Sequence, residues 1–297
     1  MKPSPYQIAA FAHVARVRSF SEAARQLGVT QSSVTQHVAK LEKLMESQLF
    51  VRRRDRLELT PIGRELFDVA DRWTTLEQVI QEKVESYQKL TAGHLKITAT
   101  APRPAMPIIA AFAELYPQVI VNFTLTNWTV NTHAVRSRDV DIAIFTDPEH
   151  DENLLVEPLQ KTRYLAYMHR DHKLASRESV SLHELCEETV IIPEDGSLTK
   201  RVVDGKLAGI GRSFSKTVRM TTFAVAKEAV LHGVGIGVLL ENSLYPASRL
   251  VGIPIDEMTE TYEDCLVLPA EKQNLKLVSR FVEIALNMRT DLTRGLP

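Results

Sequence analysis

At 297 residues, with 44% apolar and 25% charged residues, the chain has material for two or three packed domains. Its two cysteines, Cys186 and Cys265, exclude a disulfide framework and fit a reducing compartment. No apolar run reaches the roughly 18 residues of a membrane helix, and no signal-like segment follows Met1-Lys2-Pro3-Ser4, so the expectation is a cytoplasmic protein with no membrane partner. The net charge of −1 conceals an asymmetry: residues 1–60 carry +5 and the remainder −6. A basic module on an acidic body points to a polyanion contact confined to one end.

Tyr6 to Val17 has helical apolar spacing. Ser21 is expected to cap a short helix through Leu27, and Gly28 supplies the turn that ends it. Thr30 then caps a helix from Gln31 to about Met45, with Val34, Val38, Leu41 and Leu44 inward. Two short apolar segments, Leu49 to Val51 and Leu57 to Leu59, flank the run from Arg52 to Arg56 and read as a wing. Thr60 and Pro61 open a long helix in which Leu66, Val69, Trp73, Leu76, Ile80 and Tyr87 recur at near-heptad steps, the pattern of a helix paired with a second copy.

From Thr91-Ala92-Gly93 the pattern changes. Strands are expected at His94–Thr100, Val119–Leu125 and Val140–Phe145, with helices at Ala105–Tyr116 and Val130–Ser137 between them, which gives an open α/β sheet with crossover helices. Further strands at Arg163–His169 and Thr189–Ile192, helices at Ser197–Leu207 and Thr222–His232, an apolar Gly233–Leu239 run and a closing helix at Lys272–Met288 complete the chain.

Two helices joined by a tight Gly-containing turn lay the second helix in the major groove of double-stranded DNA. On that helix Gln36 and His37 suit base edges, with Thr35 for a thymine methyl or a phosphate and Lys40 on the same polar face. Ser21, Thr30, Gln31, Ser32 and Ser33 stand near helix N-termini, where neutral phosphate contacts form. Arg52, Arg53, Arg54 and Arg56 are expected on phosphate or in a narrow minor groove.

The stretch from Phe20 to Gln36, together with Leu41-Glu42, Leu49-Phe50, Arg52-Arg53, Leu59-Thr60 and Gly63, resembles the signature of LysR-type transcriptional regulators, and the likeness runs through the whole chain. It departs where Met45 follows Leu44, a place where the family usually has glycine. The resemblance implies an all-α winged helix-turn-helix domain (1–61), a dimerising linker helix (62–92) and an α/β effector domain (93–297) resembling type 2 periplasmic binding proteins. Lobe I would span about 93–161 and 267–297, and lobe II about 162–266. It further implies a homodimer assembling into a tetramer on double-stranded promoter DNA, with RNA polymerase as a candidate partner, and no cofactor.

In such a sheet, ligands sit beyond the carboxyl ends of the strands. Those ends are Thr100 and Ala101, Asn127, and Thr146, and the resemblance places a small-molecule effector there. Ser197 and Thr199 open a helix facing the cleft. Its free N–H groups suit an anionic ligand, which Arg103 could neutralise, and Thr222 and Phe223 close another side. Catalytic chemistry is not expected: there is no metal-spaced His/Cys cluster, phosphate-cradling loop or nucleophile elbow. Two alternatives are a regulator switched by oxidation of Cys186 and Cys265, and a DNA-binding protein without a ligand.

Overall fold

The computed structural model describes residues 2–53, 56–84, 93–243 and 247–289. They form two units, residues 1–89 and 90–297, each considered by itself.

In the first unit, helix α1 (Pro5–Val17) starts from a capping box in which Ser4 and Gln7 satisfy each other's backbone N–H. Helix α2 spans Phe20–Leu27. Its cap is Ser19, whose hydroxyl accepts from the Glu22 N–H, and not Ser21, because the helix begins one residue earlier than its polar pattern suggests. Gly28 at φ 67 turns the chain into α3 (Gln31–Met45), which Thr30 caps through the Ser33 N–H. Val34, Val38 and Leu41 of α3 pack with Phe11, Val14 and Ala23 into one core. The left-handed residue that ends α3 is Glu46, at φ 50, one position beyond the anticipated site at Met45. Glu42 steadies this turn by accepting the Leu49 N–H at 2.8 Å.

Strands β1 (Phe50–Arg53) and β2 (Arg56–Leu59) pair antiparallel, with Arg53 opposite Arg56. Helix α4 (Pro61–Val84) follows, its first turn capped by Thr60, which accepts the Gly63 N–H at 3.0 Å. A side chain at Gly63 would meet the Leu49 carbonyl at 2.2 Å, so only glycine lets the start of α4 lie against the wing. Arg16 of α1 binds the fully buried Asp71 of α4, and Leu66, Phe67 and Ala70 join the core. Ile62, Val69, Leu76 and Ile80 remain exposed. Tyr87 and the rest of the anticipated linker from residue 85 to 92 lie outside the described residues.

The second unit holds two five-stranded sheets. In the first, β3 (Gly93–Ala99), β4 (Val119–Leu125), β5 (Ile142–Thr146) and β6 (Leu154–Thr162) run the same way, and a late strand lies between β5 and β6, antiparallel to both, in the order β4-β3-β5-late-β6. Helices α5 (Pro102–Leu115) and α6 (Trp128–Arg136) are its crossovers. Helix α6 begins two residues before the expected Val130, because Asn127 supplies the cap to the Val130 N–H.

The second sheet contains β7 (Tyr164–His169), then, after α7 (Leu182–Cys186), β8 (Thr189–Pro193). Helix α8 (Leu198–Gly209), β9 (Lys216–Met220), α9 (Phe223–Leu231), β10 (Ile236–Leu240) and β11 (Leu250–Pro254) complete it. Its order is β11-β7-β10-β8-β9. The chain then returns to the first sheet as β12 (Tyr262–Pro269), the late strand, and ends its described part in α10 (Lys276–Asn287). All of β12 belongs to the first sheet, so a lobe boundary at 266/267 would cut a strand. The crossings fall between β6 and β7 and between β11 and β12. The closing helix starts at Lys276 and not Lys272, because Lys272 is buried and donates to the Arg138 and Val140 carbonyls and to Asp141.

Candidate functional site

In the first unit, α3 presents Gln31, Ser32, Thr35, Gln36 and Lys40 to solvent, while Ser33 and His37 are half-buried. Part of this face is already engaged. Thr35 donates to the Gln31 carbonyl, and the Thr30 and Ser32 hydroxyls lie 2.9 Å apart. Gln36 has its amide open to solvent. His37 stacks with the exposed Tyr6 of α1 at 6.1 Å between ring centroids. Tyr6 was not singled out from the sequence, and its signal there, an apolar-phase aromatic at a helix start, is indistinguishable from a core residue. Ser21 is exposed, 3.1 Å from the Ser19 hydroxyl. Arg52 and Arg56 are exposed on the wing strands, and Arg53 ends β1. Arg54 lies outside the described residues.

In the second unit, the carboxyl ends of β3, β4 and β5 face those of β8, β9 and β10 across a cavity of about 150 Å³. Of the nine residues expected there, Thr100, Asn127, Thr146, Ser197, Thr199, Thr222 and Phe223 line it. Ala101 does not; it is buried as the residue preceding α5. Arg103 does not either. Its guanidinium reaches to the second sheet's side and donates to the Glu241 carbonyl at 3.2 Å, so it does not serve the cavity as a counter-charge.

Trp128, Glu194, Met220 and Leu239 of the lining were not anticipated from the sequence. Trp128 is held by its indole N–H on the Thr146 carbonyl at 2.9 Å, edge-on to Phe145. Its apolar environment reads in sequence as ordinary core.

The hydroxyls differ in what they have left to offer. Thr146 donates to Asp264 at 2.6 Å, and Gln160 donates to the other oxygen of that carboxyl. Burial pushes the Asp264 pKa up, opposed by hydrogen bonds from Thr146, Gln160 and Asn242. Thr222 accepts the Val225 N–H as a cap. Ser197 occupies the cap position of α8 without making a cap bond, so its hydroxyl stays available, and Thr199 in the first turn is buried at the wall. At the mouth the lobes are joined directly. Asn127 donates to Glu194 at 3.1 Å, and the backbone and hydroxyl of Thr129 both donate to the Gly196 carbonyl.

Cys186 is buried in the core of the second sheet's lobe and Cys265 in β12 of the first. Burial raises both thiol pKa values, that of Cys265 to about 12 with help from Glu263 and Asp264. Among the described residues no group of His, Cys, Asp and Glu is placed to hold a metal ion, and no helix is long and apolar enough to cross a membrane.

Residues 5–64 match the bacterial regulatory helix-turn-helix protein, lysR family, and residues 88–289 match the LysR substrate binding domain. The chain is 26% identical over 237 residues to the HTH-type transcriptional regulator CysL of Bacillus subtilis, covering 79% of each. In fold it is similar to a full-length OxyR variant from Pseudomonas aeruginosa, with a TM-score of 0.79, 18% identity and complete coverage of both chains. It is also similar in fold to the CcmR regulatory domain of Synechocystis in complex with 2-PG, with a TM-score of 0.58 and 22% identity over 68% of this chain and 99% of that one. With its helix-turn-helix and its two-lobed cleft both accounted for, the chain belongs to the LysR family of DNA-binding transcriptional regulators with an effector-binding domain.

Proposed function

We propose that α3 reads base edges through Gln36 and His37, that Ser21, Thr30, Gln31, Ser32, Ser33, Thr35 and Lys40 hold flanking phosphates, and that the wing arginines grip the backbone. The open amide of Gln36 and the exposure of Arg52 and Arg56 support this reading. The exposed stripe of Ile62, Val69, Leu76 and Ile80 on α4 supports a homodimer through the linker helix, and a pair of such dimers makes the tetramer. The assembly works in the cytoplasm at promoters, with RNA polymerase as its neighbour there. The working divisions are 1–61, 62–92 and 93–297.

The cavity between the lobes is the effector site. One observation carries this: seven residues at strand ends and helix starts, where the resemblance also places an effector, converge on one cavity. Its volume is of the order that accepts a benzene-sized molecule. An oxygen-bearing, anionic group of the effector sits at the N-terminus of α8, against Ser197 and Thr199. The CcmR domain in complex with 2-PG is a precedent for a small molecule on this fold. Effector binding must favour one arrangement of the lobes over another, or DNA binding would not respond.

The test is thermal melting of the full chain against a metabolite panel, repeated on Ala226→Trp, which fills the cavity from α9. Compounds that stabilise the parent and fail to stabilise the variant support the site. Stabilisation that survives in Ala226→Trp places the effector elsewhere.

A further inference from the structure

We infer that the effector is a short zwitterion: an oxyanion and an ammonium group a few bonds apart on a compact apolar body, as in an α-amino acid or its sulfonate or phosphonate counterpart. This rests on the reading of the cleft as the effector site and adds the charge pattern that site selects.

The cavity wall has two unlike poles. One donates: Ser197 heads α8 with a hydroxyl unused by capping, and the first N–H groups of α8 have no carbonyl inside the helix. The other accepts. Glu194 is the one ionisable side chain among the described lining residues, and no lysine or arginine joins it. Asn127 engages one Glu194 oxygen, which leaves the second for a ligand. Thr146 commits its proton to Asp264, so its oxygen can only accept from a ligand. The arginine nearest in sequence, Arg201, is stacked on the Trp128 ring at 4.3 Å and does not line the cavity.

A plain anion at Ser197 would sit beside the Glu194 carboxylate with no cation on this wall of the cavity; the nearest, Lys200 and Arg201, line the adjoining pocket, where Lys200 is paired with Asp195 and Asp204 and Arg201 lies over Trp128. A plain cation would satisfy Glu194 and leave the α8 donors unmet. A molecule carrying both charges meets both poles. The poles share one turn, closed by the Ser197 N–H on the Glu194 carbonyl at 3.3 Å, so the two charges must lie close together on the ligand. Trp128, Leu198, Met220 and Phe223 provide the surface for an apolar substituent.

The experiment uses full-length protein, thermal melting and calorimetry, with probes in matched threes: the zwitterion, the same body without the amine, and the same body without the acid. The sets are L-leucine, 4-methylpentanoate and 3-methylbutylamine; L-phenylalanine, 3-phenylpropionate and 2-phenylethylamine; and 2-aminoethanesulfonate, ethanesulfonate and ethylamine. At least one zwitterion is expected to bind about tenfold more tightly than either of its halves. Glu194→Gln, which keeps the acceptor for Asn127, is expected to cost that zwitterion about tenfold while leaving its amine-free analogue unchanged or tighter. The inference is overturned if no zwitterion binds, or if amine-free acids bind as well as their parents and ignore Glu194→Gln. Ala226→Trp separates the two levels. Acids that bind and are lost in that variant leave the cleft reading standing without the charge pattern; binding that survives it removes both.

Discussion

Glu46 ends the recognition helix in a left-handed conformation at φ 50, a geometry that costs a residue with a Cβ about 1 kcal/mol. Its side chain is exposed and its backbone N–H is already bonded to the end of α3, so nothing else depends on its identity. Glu46→Gly is therefore expected to stabilise the first unit by about 0.5–1 kcal/mol, read as a higher urea midpoint with the slope unchanged. Cys265 argues in the other direction. Its thiol pKa stands at about 12 in the folded chain against a reference value of 9.0, so the fold holds that proton more tightly than the open chain does. The associated stability is complete below pH 9 and is lost as pH rises toward 12. Melting temperature followed from pH 7.5 to 11 should fall in that window, and Cys265→Ala should flatten the fall whatever it does to the baseline. The same burial keeps thiolate scarce at neutral pH, which disfavours an oxidation switch. Peroxide treatment is expected to leave DNA binding unaltered, and a peroxide response lost in Cys186→Ser would restore that alternative.

At the scale of elements, the proposed roles of the recognition helix and the wing are separable by experiment. Removing a phosphate contact weakens all DNA alike, whereas removing a base contact changes which DNA is preferred. Arg52→Ala should lower the slope of log affinity against log salt by about 1 and leave sequence preference intact. Gln36→Ala should relax preference at one base pair of each half-site, by about 1–3 kcal/mol. Selection from randomised operators distinguishes them, and unchanged preference in Gln36→Ala would move base reading to another residue. Helix α4 has two faces with different tasks. Leu66, Phe67, Ala70 and the buried Asp71, paired with Arg16, fasten it to its own domain, while Val69, Leu76 and Ile80 face solvent. Leu76→Glu is expected to leave the fold intact and shift sedimentation toward the monomer.

For the molecule as a whole, the second unit is governed by how its lobes meet. Gly196 sits at φ 87, and an added Cβ would lie 3.1 Å from the Thr129 hydroxyl. Gly196→Ala therefore strains the backbone and presses on the contact that joins the lobes at the cavity mouth. Effector affinity measured by calorimetry should fall several-fold with the melting of each lobe's core little changed. Unaltered affinity would mean that closure there does not contribute to binding. The order of strands was legible only in part. The parallel trio β3, β4 and β5 followed from the alternation of strands and helices. The antiparallel pairing of β6 with β12 did not, because Glu157, Pro158 and Gln160 interrupt the apolar pattern of β6, and β12 reaches its sheet from across a whole lobe.

The sequence by itself determined the local devices: Thr30 and Thr60 as caps, Gly28 as a turn, the apolar stripe of α3 and the basic wing. Each depends on neighbours within a few residues, so spacing and chemistry suffice to specify it. It also marked most of the cavity's hydroxyls, because strand ends and helix starts are local features. Only the tertiary structure decided what those hydroxyls face. It turned Arg103 onto the Glu241 carbonyl, brought Glu194 and Trp128 into the wall, and took the Thr146 proton for Asp264, which is 118 residues away. Such pairings are made between distant segments by packing and by the demand that buried polar groups find partners, and no periodicity in the chain records them.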